Sequence, residues 1–114
     1  MKRGEIWLIN LDPTIGAEIK KTRPAVIVNS DTVGVLPLKV IVPLTDWKAR
    51  YEIAPWMVKV EPDSQNGLEK TSAADTFQVR SVAQERFVRK LGRIDARLMG
   101  QISEGLGLVL EIGR

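Results

Sequence analysis

"PAVIVNS", residues 24–30, is a continuous run of β-branched and small apolar side chains with no polar alternation until its end. That pattern suits a strand buried on both faces rather than one with a wet side. Immediately upstream lies "DPTIGAEIKKTR", residues 12–23, which has no period at all. Connections in compact domains are usually ~4–6 residues, and longer ones tend to be functional or disordered. Asp-Pro-Thr opens a turn because proline presets φ, and Gly16 supplies a pivot. Arg23 stands directly before Pro24, a position biased to extended backbone. Its side chain therefore leaves a rigid element. A guanidinium held this way can grip a phosphate with two parallel bonds, or pair with a carboxylate at the strand mouth.

Further strands follow on either side of this one. "GEIWLINL" (residues 4–11) reads as a strand apolar on both faces, and "PLKVIVPLT" (37–45) as another. Pro43 lies inside the latter and cannot donate to a ladder, so it predicts an edge, a bulge or the strand's end. "APWMVKVE" (54–61) is a fourth strand, "PDSQNG" (62–67) a turn, and "ADTFQVRSV" (74–82) a fifth strand. "SVAQERFVRKLG" (81–92) predicts a short helix, with Ser81 as N-cap and Gln84 completing a capping box. A last helix is predicted from an N-cap at Asp95 to about Ile112. Leu98, Met99, Ile102, Leu106, Val109 and Leu110 form its apolar stripe. Gly100, Gly105 and Gly107 each cost about 1 kcal/mol relative to alanine there, so packing must hold the helix, with close backbone approach a natural reason. Leu108 and Ile112 widen the stripe, as a second contact surface or as a fraying end. The expected fold is mainly β (α+β): a small curled antiparallel sheet or barrel with helices packed on it, in one domain over residues 1–114.

Composition narrows the chemistry. The 114 residues, 44% hydrophobic, suffice for one core. There is no cysteine and no histidine, which removes thiolate nucleophiles, Ser-His-Asp systems and the usual zinc sites. Any chemistry runs on Arg, Lys, Asp, Glu, Ser, Thr or Tyr. The net charge of +3 mildly favours a polyanionic partner. No apolar run approaches ~18 residues and no signal-peptide core is present, so a cytoplasmic protein with no membrane partner is expected.

Several polar residues stand at informative places. Thr45 closes an apolar run and precedes a loop, a placement as common for turns as for catalysis. Trp47, Lys48, Arg50 and Tyr51 interleave rings and cations, which suits single-stranded RNA; Trp47 could instead cover the end of the sheet. Trp7 and Trp56 read as core. Gln78 and Arg80 alternate with Phe77 and Val79, as a groove lining or as an ordinary wet strand face. Arg86, Arg89, Lys90 and Arg93 read as a solvated helix face, with phosphate contacts or intersubunit ion pairs as the alternative.

The blocks "RGEIWLINLDPTIGAEIKKTRPAVIV", "VIVPLT", "GLEKTSAADTFQVRSV" and "ERFVRKLGRID" resemble, in order and spacing, the MazF/PemK toxins of type II toxin–antitoxin systems. The resemblance spans nearly the whole chain, and its most specific part is DPT-x-G-x-E followed by T-R-P. It implies an SH3-like barrel of about five to seven strands with a short helix and a C-terminal helix, in a homodimer. It implies a sequence-specific, metal-independent and cofactor-free endoribonuclease that cuts single-stranded messenger RNA to a 2′,3′-cyclic phosphate and a 5′-hydroxyl. It further implies a cognate antitoxin whose disordered C-terminal segment fills the RNA groove. Carried over by position, the catalytic arginine is Arg23, the catalytic threonine Thr45 and the loop glutamate Glu18. The branch of the family that uses a loop histidine does not fit this chain. Glu18 is the one carboxylate near Arg23 in sequence that the loop could aim inward, so it is the expected base. Arginine rarely gives up its proton, so Arg23 is expected mainly as an electrostatic clamp. Lys20, Lys21, Thr22, Trp47, Lys48 and Gln78 are the expected RNA contacts. Two alternatives stay open: a non-catalytic RNA- or antitoxin-binding module of this fold, and a CcdB-like toxin that binds DNA gyrase.

Overall fold

The structure is a computed structural model that describes residues 1–33 and 35–113. These residues form seven strands and one α-helix: β1 (Glu5–Asn10), β2 (Thr22–Ile27), β3 (Leu38–Asp46), β4 (Met57–Val60), β5 (Ser72–Asp75), β6 (Arg80–Ala83), β7 (Phe87–Arg93) and α1 (Ala96–Leu110). All pair antiparallel in one curled sheet of order β4-β5-β3-β2-β1-β7, with β6 also on β3. Barrel-like is the right description, although the sheet does not close by strand pairing.

β2 is buried on both faces, as its β-branched run predicts. Val26 and Val28 join Ile6, Val42, Leu44, Leu98 and Ile102 in the core beneath α1. Ala25 and Ile27 join Ile9, Leu11, Ile41 and Val82 on the other face. Ile6, Ile9, Val26, Ile27 and Ile41 are fully buried, each contributing roughly 1.5–3 kcal/mol relative to exposure. The α1 prediction holds for its cap, the Asp95 carboxylate accepting from the Leu98 N–H at 2.8 Å, and for Leu98, Met99, Ile102 and Leu106 on the core, whereas Leu110 of the predicted stripe is exposed.

Pro43 sits inside β3, not at an edge. On one side it faces Ala25 of β2. On the other, β6 ends opposite Ile41 and β5 begins opposite Leu44. The proline thus occupies the gap between two successive partners, where β3 needs no donor.

Two of the predicted elements fail. Residues 81–92 are not a helix: Ser81 lies in β6, Gln84–Arg86 make one turn of 3-10 helix, and residues from Phe87 on form β7 along β1. The predicted fifth strand is likewise broken, because Thr76–Gln78 forms a 3-10 turn between β5 and β6. In both places ladder pairing and burial outweigh local helix or strand preference. Trp56 is also not core, being 37% exposed against Phe77, whereas Trp7 is half-buried against Phe87.

The open side of the sheet is closed by residues 61–71. Asn66, fully buried, donates to the Glu61 carbonyl and accepts from the Asp63 and Leu68 N–H groups. The Gln65 carbonyl then accepts from the Arg93 N–H of β7 at 3.0 Å. A Cβ on Gly92 would stand 2.1 Å from that carbonyl oxygen, so only glycine lets loop and strand meet.

Candidate active site

β2 and β3 are in register with Ala25 opposite Pro43 and Val26 opposite Val42. Extending that register by two residues sets Arg23 across from Thr45. Both are half-buried and both line a cleft of about 520 Å³. The cleft lining carries Lys21, Arg23, Lys70 and Arg89 against two carboxylates, Asp46 and Glu69. Lys70 and Asp46 pair at 3.1 Å, leaving an excess of positive charge beside the Thr45 hydroxyl. Nε of Arg23 donates to the Lys20 carbonyl at 2.9 Å. That bond orients the guanidinium and leaves its terminal N–H donors for an anion.

The connection between β1 and β2 is gripped by side chains from the far end of the chain. Arg86 donates to the Asn10 carbonyl at 3.1 Å and also to the Asp12 carbonyl. Arg80 donates to the Leu11 carbonyl at 3.2 Å. Gln78 accepts from the Ile19 N–H at 2.6 Å and donates to the Ala17 carbonyl at 3.2 Å. The peptide between Asp12 and Pro13 is cis, and Gly16 and Lys21 both have positive φ.

Thus the structure brings Lys21, Thr22, Arg23 and Thr45 together in one cleft. Glu18 lies outside it, in a neighbouring recess with Ile19, Pro43, Gln78 and Arg80. Its carboxylate accepts from the Ile15 N–H at 2.6 Å. Pro43 and Thr45 share one face of β3 and stand about 7 Å apart by strand geometry, so recess and cleft adjoin. Lys20 is exposed on the loop. Trp47 and Lys48 follow β3 outside the cleft lining; the Trp47 ring meets Tyr51 edge-on, with the Lys59 ammonium 5.1 Å from its centroid. Arg89 and Lys70 are cleft residues that sequence reasoning did not single out as such. Arg89 stands in a basic cluster whose helix-face reading gives way here to the alternative of phosphate contacts, and nothing in the sequence marks Lys70.

Two carboxylates have displaced pKa values. Asp75, behind Gln78, is raised by burial, against hydrogen bonds from the Phe77 N–H and from the main-chain and side-chain amides of Gln78. Glu5, on β1, is desolvated, which raises its pKa. The Trp7 indole, the Lys2 backbone, Lys90 and the N-terminus outweigh this and hold it at about 2.

A cationic cleft lined by a hydroxyl and a forked guanidinium can hold a phosphodiester and stabilise charge that builds on it. Among the described residues, no three His, Cys, Asp or Glu side chains gather to hold a metal ion.

The sequence profile of the PemK-like, MazF-like toxins of type II toxin–antitoxin systems matches residues 2–110. The chain is 35% identical over 118 residues to endoribonuclease MazF9 of Mycobacterium tuberculosis (strain ATCC 25618 / H37Rv), covering 98% of each chain. It is 32% identical over 112 residues to endoribonuclease PemK of Escherichia coli, covering 96% of this chain and 82% of that one. Its fold matches the crystal structure of MazF from Deinococcus radiodurans with a TM-score of 0.79 at 23% identity, over 98% and 97% of the two chains. With the profile spanning almost the whole chain and a relative of this identity aligned end to end, the protein belongs to the PemK/MazF-like toxin family of type II toxin–antitoxin systems.

Proposed function

We propose that this chain is a sequence-specific endoribonuclease toxin that cuts single-stranded messenger RNA without a metal ion. The observation that carries the reading is that Arg23 and Thr45 line one cationic cleft, in a chain whose relatives are named endoribonucleases. The 2′-hydroxyl attacks the adjacent phosphorus and gives its proton to a base. The bond to the 5′-oxygen breaks and that oxygen takes up a proton. The products are a 2′,3′-cyclic phosphate and a 5′-hydroxyl. Arg23 clamps the developing charge, and Thr45 donates to a non-bridging oxygen. Among the described residues, the Thr45 hydroxyl has no hydrogen bond to a base that would make it a nucleophile. Glu18 serves as base once its side chain leaves the Ile15 N–H and turns from the recess toward Thr45. Lys20, Lys21 and Thr22 meet the backbone, Trp47 and Lys48 extend the path, and Gln78 lines the adjoining recess.

The toxin acts in the cytoplasm as one domain and is silenced by a cognate antitoxin whose flexible C-terminal segment occupies the same groove. It works as a homodimer. Leu108, Leu110 and Ile112, 42–64% exposed near the end of α1, are apolar surface available for a second copy.

The experiment is incubation of the purified protein with a long single-stranded RNA in EDTA, followed by mapping of the ends. Discrete cuts with 5′-hydroxyl ends are expected, and Arg23→Ala should abolish them while keeping the fold. The place of Glu18 outside the cleft favours one rival, an inert RNA- or antitoxin-binding module. Intact RNA that is nevertheless bound would establish that rival.

A further inference from the structure

We infer that Gln78 is a positioning residue for Glu18, acting through the backbone on either side of it. This rests on the reading of Glu18 as the base. Gln78 bonds Ala17 and Ile19, the two neighbours of Glu18, and uses opposite ends of its amide to do so. Its oxygen accepts from the Ile19 N–H; its nitrogen donates to the Ala17 carbonyl. The orientation of the amide is thereby determined: a flipped amide would set N–H against N–H and oxygen against oxygen.

The support beneath Gln78 is rigid. Asp75 is 6% exposed and caps the 3-10 turn Thr76–Gln78 through the Phe77 N–H at 3.1 Å. Thr76, fully buried, donates its hydroxyl to the Trp56 carbonyl at 2.6 Å. Its methyl and hydroxyl fill the space over Gly105 of α1, where an added Cβ would come within 2.9 Å of both. The turn is thus wedged between the helix and the chain entering β4, and Gln78 projects from it onto the loop. Holding residues 17 and 19 fixes where the Glu18 side chain starts, while leaving that side chain free to rotate between them. A reacting group displaced by ~1 Å can lose about 100-fold in rate, so such a bracket matters to turnover and not to substrate affinity.

The test uses the full chain and an RNA oligonucleotide containing a site mapped from long single-stranded RNA. Cleavage kinetics, thermal unfolding and amide hydrogen exchange are measured for wild type, Glu18→Ala, Gln78→Ala, Gln78→Glu and the Glu18→Ala/Gln78→Ala double variant. Exchange at the Ile19 N–H should accelerate in Gln78→Ala with the unfolding temperature little changed. In Gln78→Ala, kcat should fall about 10–100-fold with KM within about twofold. Gln78→Glu should fall as far, since its carboxylate would face the Ala17 carbonyl. The double variant should be no slower than Glu18→Ala. Unchanged Ile19 exchange in Gln78→Ala overturns the bracket. An inactive Glu18→Ala beside a fully active Gln78→Ala overturns the positioning role alone, as does a loss in KM that multiplies with the Glu18 effect, which would mark Gln78 as an RNA contact. A fully active Glu18→Ala removes the base assignment itself, and the positioning role goes with it.

Discussion

At the scale of single residues, the cleft depends on shape as much as on charge. Arg23→Lys keeps the cation and the strand position but loses the planar fork and the Nε–H that holds the Lys20 carbonyl. Its kcat should therefore drop about 100-fold or more, near the loss of one preorganised donor, with RNA binding weakened far less. Thr45→Val preserves volume and β preference and removes only the hydroxyl; about 10–100-fold is expected, by the same accounting for a weaker neutral donor. Single-turnover cleavage at saturating protein separates these from binding defects, and an Arg23→Lys variant with wild-type kcat would show that a point charge suffices. The strand-end places of Arg23 and Thr45 were legible because each borders an apolar run; their catalytic roles are implied only by the family resemblance. The position of Glu18 was not legible. It depends on bonds from Gln78, Arg80 and Arg86 to the loop backbone, and no local pattern reports a partner some sixty or more residues away.

At the scale of elements, β7 is the instructive case. Residues 81–92 carry a credible cap and a helical spacing of charges, yet 81–83 pair with β3 and 87–92 with β1. β1 supplies a full edge, and Trp7 packs edge-on against Phe87 with ring centroids 5.6 Å apart. Lys90 reaches Glu5 at 3.2 Å across the same seam. Propensity is a weak prior against an unpaired strand beside a core. The glycines test this architecture in opposite directions. Gly92→Ala forces the backbone at Gln65 and Asn66 aside, and overpacking of this kind costs about 1–3 kcal/mol or more. Gly100 is exposed on α1 with nothing within 4 Å of an added Cβ, so Gly100→Ala should gain about 1 kcal/mol from helix propensity. Chemical denaturation of both variants checks the pair; a neutral Gly92→Ala would mean that residues 61–71 do not close the sheet as described. The β1–β7 seam makes a pH prediction too. The pKa of Glu5 is held at about 2 in the fold against 4.5 unperturbed. Its contribution is therefore complete above pH 4.5 and is lost as pH falls toward 2. Glu5→Gln should be less stable at pH 7 by about 1–3 kcal/mol, the range for a hydrogen bond to a charged group. It should also show a shallower loss of stability across that acid window, measured by unfolding at each pH.

For the whole molecule, the question is how a net charge of only +3 recruits a polyanion. Average charge is a poor guide here, because the cations are not spread evenly. Lys21, Arg23 and Arg89 line one cleft, and Lys20 stands beside them on the exposed loop. A local excess with low-dielectric walls concentrates the field where the scissile phosphate must sit. If Lys20 and Lys21 each neutralise one phosphate, removing both should flatten the dependence of log binding constant on log salt. Each contact to a single strand accounts for a slope of roughly −0.7, so Lys20→Gln/Lys21→Gln should lower its magnitude by about 1.4. Titration of a fluorescent single-stranded RNA against Arg23→Ala protein between low and moderate salt measures this without cleavage. The two lysines should also weaken binding alike for RNAs of different sequence, because phosphate contacts position the strand and carry no base information. A slope unchanged by the double substitution would place the backbone elsewhere on the molecule. It would then remove the loop from the RNA path while leaving Arg23 and Thr45 together in the cleft.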